Sequence, residues 1–244
     1  MNGTELLKKT VKQYVGSSIT EDEYFQIVRS IHKDFNEVYK AYQAKESSFI
    51  AKGSGVKVDI EFNRENNAVG IKMQEKEFTL TELEFLKLLN LIEICYGSVL
   101  PLGSVVKLNL DKVPQELRKL YGAITENSMF MISGRKIPVS SSTDEYYIDY
   151  VVRMFPFGES EYMQPFFISK TMIESVEFEG MSNELEDKFV DAVLREEIVY
   201  KNRRSTIFLL DEEAKQLEQE IQALYVASEG ATVDGDGYIN SGTA

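Results

Sequence analysis

Between Val56 and Gly97 the hydrophobic period changes once, and that change restricts the fold more than any other feature of the chain. Val56, Val58, Ile60 and Phe62 alternate with polar residues, and Val69, Ile71 and Met73 resume the alternation after the polar run Arg64–Asn67. A period of two is that of a half-buried strand, so the segment predicts a β-hairpin. The stretch FTLTELEFLKLLNLIEICYG that follows predicts a strongly apolar helix, capped at Thr79 or Thr81 and stopped at Gly97. The expected class is therefore α+β, with antiparallel sheets and packed helices.

The remaining segments extend this picture. Thr4–Val15 reads as a short helix ended by Gly16. Thr20–Ala44 reads as one long helix, with a Thr20/Glu23 capping box and an apolar stripe of Phe25, Val28, His32, Phe35, Tyr39 and Tyr42. In the second half, strands are expected in VLPLGSVVKLNL, SMFMISGRKIPV, EYYIDYVVRMF, FFIS and IESVEFEG. Helices are expected in PQELRKLYG, in SNELEDKFVDAVLREEIVY with Ser182 as its N-cap, and in LDEEAKQLEQEIQALYV. Residues 1–97 and 98–226 form two expected units, each a sheet with helices, and a pair of similar halves is one reading of them. Residues 227–244, rich in small and polar side chains, read as a flexible tail.

Charge narrows the partners. The net charge of the 244-residue chain is −13, and from Thr171 onward 17 acidic residues face 6 basic ones. Such a chain repels phosphate backbones and anionic headgroups, so neither nucleic acid nor membrane insertion is expected. The C-terminal third is expected to present acidic helix faces to water or to a basic partner. No stretch reaches the length of a spanning helix or a signal peptide. The single cysteine, Cys95, excludes an internal disulfide and fits a cytoplasmic protein.

Catalytic patterns are sparse. His32 is the only histidine and falls on an apolar stripe, which suits packing better than proton transfer. One Cys and one His are too few for a zinc cluster, and no phosphate-binding or dinucleotide glycine pattern occurs. Acidic pairs such as Asp144–Glu145 and Glu196–Glu197 arise by chance among 40 acidic residues. The run TVDGDGYIN matches part of a calcium loop, with Asp234, Asp236 and Gly237 in place, but Thr232 and Thr243 fall where acidic groups belong. The expectation is a binding protein without cofactor or metal, not an enzyme.

Aromatic density points to a contact surface. VVRMFPFGESEYMQPFFIS gathers five aromatic rings around Pro156, Pro165 and Gly158. Aromatic residues and methionine are enriched in interface cores. The candidate partner-binding residues are Met154, Phe155, Phe157, Tyr162, Met163 and Phe166. Those on strands could equally hold the core, which leaves the loop from Phe157 to Pro165 as the clearest contact.

The order of short motifs in the second half resembles a known family. LPLGSVV at Leu100–Val106, MISGR at Met131–Arg135, Asp149–Val151 leading to Pro156 and Gly158, and Phe178 with Gly180 recur in that order. This series resembles a family of domains of unknown function from Gram-positive bacteria, encoded beside LXG-domain toxins of the type VII secretion system. Phe155 and Met181 stand where that family has tyrosine, and an insertion spans about Asp111 to Asn127. The resemblance covers Leu100 to Val193 and leaves residues 1–97 unassigned. It implies a cytoplasmic chaperone or targeting factor that binds an LXG toxin, or another secreted effector, before export. An immunity protein that neutralises a toxin by direct binding is the alternative.

Overall fold

A computed structural model describes residues 3–14, 19–113, 115, 118, 124–139, 145–158 and 165–229. The fold is α+β, with two sheets and several helices. Helix α1 spans Gly3–Tyr14 and α2 spans Glu21–Ile31. The capping box forms as the spacing predicts: Glu23 N–H donates to the Thr20 hydroxyl at 3.3 Å, and Thr20 N–H donates to the Glu23 carboxylate at 3.1 Å.

The single helix expected over Thr20–Ala44 is instead broken. A 3₁₀ turn at His32–Asp34 separates α2 from α3, Phe35–Gln43. At the break the Asp34 carboxylate accepts the backbone N–H groups of Lys52 and Gly53, each at 2.6 Å. A Cβ at Gly53 would lie 2.5 Å from an Asp34 carboxylate oxygen, so a larger residue here would push the carboxylate aside. His32 is half-buried, with Nδ1 2.8 Å from the Arg29 carbonyl and its ring 4.5 Å from that of Tyr96.

The first sheet is an antiparallel meander of β1 (Ser48–Ala51), β2 (Val58–Asn63), β3 (Ala68–Met73) and β4 (Lys76–Thr81). Val58, Ile60, Phe62, Val69, Ile71 and Met73 all point inward, as their period requires. Helix α4, Glu82–Tyr96, is capped by Thr81, the second of the two candidates; Thr79 lies in β4. Thr81 and Glu84 repeat the reciprocal box of α2. Thr81→Ala should lower stability by about 1 kcal/mol, as measured by urea unfolding. A change within error would show that the cap is redundant.

The second sheet runs β10–β7–β6–β5–β9. Its strands are β5 (Val105–Leu108), β6 (Met129–Pro138), β7 (Tyr146–Phe155), β8 (Phe166–Ile168), β9 (Ile173–Phe178) and β10 (Arg204–Ser205). β8 and β10 both pair with β7, β8 antiparallel at Tyr150–Val152 and β10 parallel at Tyr146–Tyr147. This order differs from the plain meander of the first sheet, so any likeness between the halves does not extend to strand topology.

After β9 the chain is helical from Glu184 to Tyr200, as α5 (Glu184–Phe189), a π turn (Val190–Leu194) and α6 (Arg195–Tyr200). The cap is Asn183, not the expected Ser182. The Asn183 side chain accepts the N–H groups of Leu185 and Glu186 at 3.0 Å, which a residue one position earlier is not placed to reach. Helix α7 is Asp211–Glu229. The helix expected in PQELRKLYG lies mostly outside the described residues, as do the stop at Gly16, Asp144 and the calcium-like run. The tail expected from 227 falls outside them after Glu229.

Among the described residues two apolar cores result. The larger packs α1–α4 on the first sheet and also takes in Tyr147, Ile198, Val199 and Phe208 from the second half. The smaller lies under one face of the second sheet and includes Val106, Phe130, Tyr150, Val152, Met154 and Phe166. Cys95 belongs to the larger core. Burial pushes its thiol up to about 12, so it stays protonated as a small hydrophobe.

Candidate docking face

Strand alternation divides the second sheet into two faces. Along β7, Tyr150, Val152 and Met154 enter the smaller core, and Val151, Arg153 and Phe155 point the other way. Antiparallel partners share a face, so the register completes the surface. Phe167 pairs with Val151, Met131 with Arg153 and Met129 with Phe155; Val105 pairs with Met131, and Phe178 with Val105. Phe155, Phe167 and Phe178 are 41%, 47% and 63% exposed, and Met129 and Met131 are half-buried. Three phenylalanines and two methionines thus line one open face beside Lys107 and Arg153.

The same face is closed at its other end by a charged cluster. Tyr147 and Asp149, earlier on the same side of β7, are fully buried. The Asp149 carboxylate accepts from Lys136 Nζ at 2.9 Å, from the Lys170 backbone N–H at 2.9 Å and from the Ser205 hydroxyl at 3.3 Å. Glu93, on α4, accepts from Lys170 Nζ at 3.1 and 3.2 Å and lies 3.7 Å from Lys136. Burial alone would pull the Lys136 ammonium down, but the Asp149 charge, with Glu93 behind it, holds it well above the ordinary lysine range. Two ammonium groups and two carboxylates balance here. The cluster joins α4, β6, β7 and β10, and so fixes where the open end of the face begins.

Local geometry accounts for the sequence signals. Gly158 has φ +67° and donates its N–H to the Met154 carbonyl at 2.9 Å, closing the turn after β7. Phe157, on that turn, is 62% exposed. Gly180 passes so close to the turn leading into β5 that a Cβ would lie 2.2 Å from the Leu102 carbonyl oxygen. Its N–H donates to the Ser104 hydroxyl at 2.9 Å.

Residues 119–189 match the family model of a domain of unknown function, DUF4176. The matched span holds β6 to β9 and α5, and lies inside the stretch that carried the resemblance. No curated protein and no solved structure matches the chain. Asp149, Gly158 and Gly180, three of the motif positions, thus have structural roles in the cluster, the turn and the close approach.

The structure separates the six candidate contact residues. Met154 and Phe166 are buried in the smaller core, where Phe166 meets Phe130 edge-on at 5.2 Å. They pack the sheet and offer no surface. Phe155 and Phe157 are exposed, and Tyr162 and Met163 lie outside the described residues. Phe178, Met129 and Met131 join the face although residue spacing around Pro156 does not reach them. Among the described residues no group of three or more His, Cys, Asp or Glu could hold a metal, and no helix is long and apolar enough to cross a membrane.

Proposed function

We propose that this chain is a non-catalytic binding protein that acts in the cytoplasm as a chaperone or targeting factor for an LXG-type toxin of a type VII secretion system. The observation that supports the reading is the open face of the second sheet. Phenylalanine supplies large contact area and methionine an adaptable one, the composition of a surface that covers apolar parts of a client. The client would be held by occupancy, with the acidic C-terminal third raising the rate of encounter with a basic surface. All five residues of the face fall within residues 119–189, the span that matches the domain family.

Co-expression with an LXG toxin tests the reading. Tagged protein should recover the toxin, and the double variant Phe155→Asp/Phe178→Asp should weaken binding at least about tenfold with an unchanged circular dichroism spectrum. If no toxin is recovered, or the variant binds as the parent does, the reading fails. Scoring secretion and toxicity together distinguishes a chaperone, needed for toxin stability or export, from an immunity protein, needed for survival.

A further inference from the structure

We propose that the segment Glu184–Leu194 is a docking rail for a basic amphipathic helix of a partner protein. Leu185, Phe189 and Val193 recur every four residues and form one stripe. On an amphipathic helix such a stripe normally faces a core. Here Leu185, Phe189 and Val193 are 75%, 42% and 48% exposed, and no residue of α5 or the π turn is buried.

The stripe is bare but its position is fixed. At the front, the buried Arg135 guanidinium pairs with Glu186 and sits 5.6 Å from the Phe189 ring. At the back, Arg195 donates to the carbonyls of Ile94 and Gly97 at the end of α4. The π turn lies between these anchors. Its wider winding lets the helix change the side it buries, so that Ile198 and Val199 enter the larger core while the stripe stays outside.

Charge selects the occupant. From Ile173 to Asp191 the sequence has seven acidic residues and one basic residue, Lys188; Glu177, Glu186 and Asp191 pair with Lys107, Arg135 and Arg195, and Glu174, Glu179, Glu184 and Asp187 supply the remaining negative charge. A second copy would set like charges against like. The last 15 residues carry Asp234 and Asp236 and no lysine or arginine, so they supply no counter-charge either. Strand addition at neighbouring β9 is opposed by its own irregularity. Phe178 pairs with Val105 but Val176 with Val106, and Ser175 with Lys107 but Ile173 with Leu108, which leaves Glu177 and Glu174 as extra residues. What fits an apolar helical stripe inside acidic surroundings is a second helix with apolar residues on one side and lysine or arginine beside them. This inference does not depend on the identity of any toxin.

The test uses the full-length chain and a fluorescein-labelled 18-residue peptide with leucine at helical spacing and lysine elsewhere, titrated by anisotropy. Its counterpart carries glutamate for every lysine. The lysine peptide should bind at one per chain and weaken as salt rises, and the glutamate peptide should not bind. Leu185→Asp and Phe189→Ala should each reduce affinity at least about tenfold, and Ile50→Ser, on the first sheet, should leave it unchanged. Because Leu185 is exposed, Leu185→Asp should keep its circular dichroism spectrum. The charge reversal Glu184→Lys/Asp187→Lys should move preference toward the glutamate peptide. Equal binding of both peptides, unchanged affinity in the stripe variants, or a dimer in sedimentation that Leu185→Asp dissolves would each overturn the proposal.

Discussion

Asp149→Ala should destabilise the fold by about 3–5 kcal/mol, the cost of leaving a buried charge without its partner. Asp149 is fully buried and accepts from Lys136, Ser205 and the Lys170 backbone. Removing its carboxylate leaves the Lys136 ammonium, whose side chain is only 5% exposed, without its hydrogen-bonded counter-charge and with Glu93 farther off at 3.7 Å. The double variant Asp149→Leu/Lys136→Met should recover much of the loss, because well-packed apolar residues often replace a buried ion pair without net cost. Urea unfolding of the three proteins measures both effects. A single-variant loss under about 1 kcal/mol would show that the pair is not desolvated as described. The pH dependence has a definite sign. The folded-state pKa of Lys136 is raised, so its contribution is complete below the unfolded lysine value and is lost only as pH rises through the folded one. Stability near neutrality should therefore not depend on this lysine's titration, and the loss should appear in strong alkali.

Phe208→Ala should cost a similar amount, about 3–5 kcal/mol, for a different reason. Phe208 is fully buried and meets Tyr39 and Phe35 edge-on at 5.2 and 6.1 Å. It comes from the second half of the sequence and fills the core of the first. Truncation leaves a cavity that the surrounding rings only partly close. Hydrogen exchange should show faster exchange in α3 as well as around Thr206–Phe208. A loss confined to the C-terminal segment would mean that the ring is not part of the larger core.

Local signals made most elements readable. The hairpin, α4 and strands β5 to β9 follow from period and capping residues, which act over a few positions. The break at Asp34 did not, because its cause is a pair of backbone amides 18 and 19 residues away. β1, β4 and β10 are not legible for a related reason. Ser48–Ala51 and Arg204–Ser205 are too short to show a period, and Lys76–Thr81 runs straight into the cap of α4. The contact face was half legible. Aromatic density marked Phe155 and Phe157, but whether a ring on β7 faces the core or water depends on register. Met154 and Phe155 are neighbours in sequence and lie on opposite faces, one 8% and the other 41% exposed. Applying strict alternation to YYIDYVVRMF would have separated them, since Tyr150, Val152 and Met154 form one set and Val151, Arg153 and Phe155 the other.

The two extra glutamates of β9 carry a consequence for the molecule in bulk. A sheet margin with a regular rhythm invites a neighbour to zip onto it, and chains joined this way grow into fibres. Here the rhythm is interrupted twice within six residues, each time by a negative side chain. This margin is therefore a poor template for a strand of a second copy, even though phenylalanine rings lie exposed on the neighbouring face.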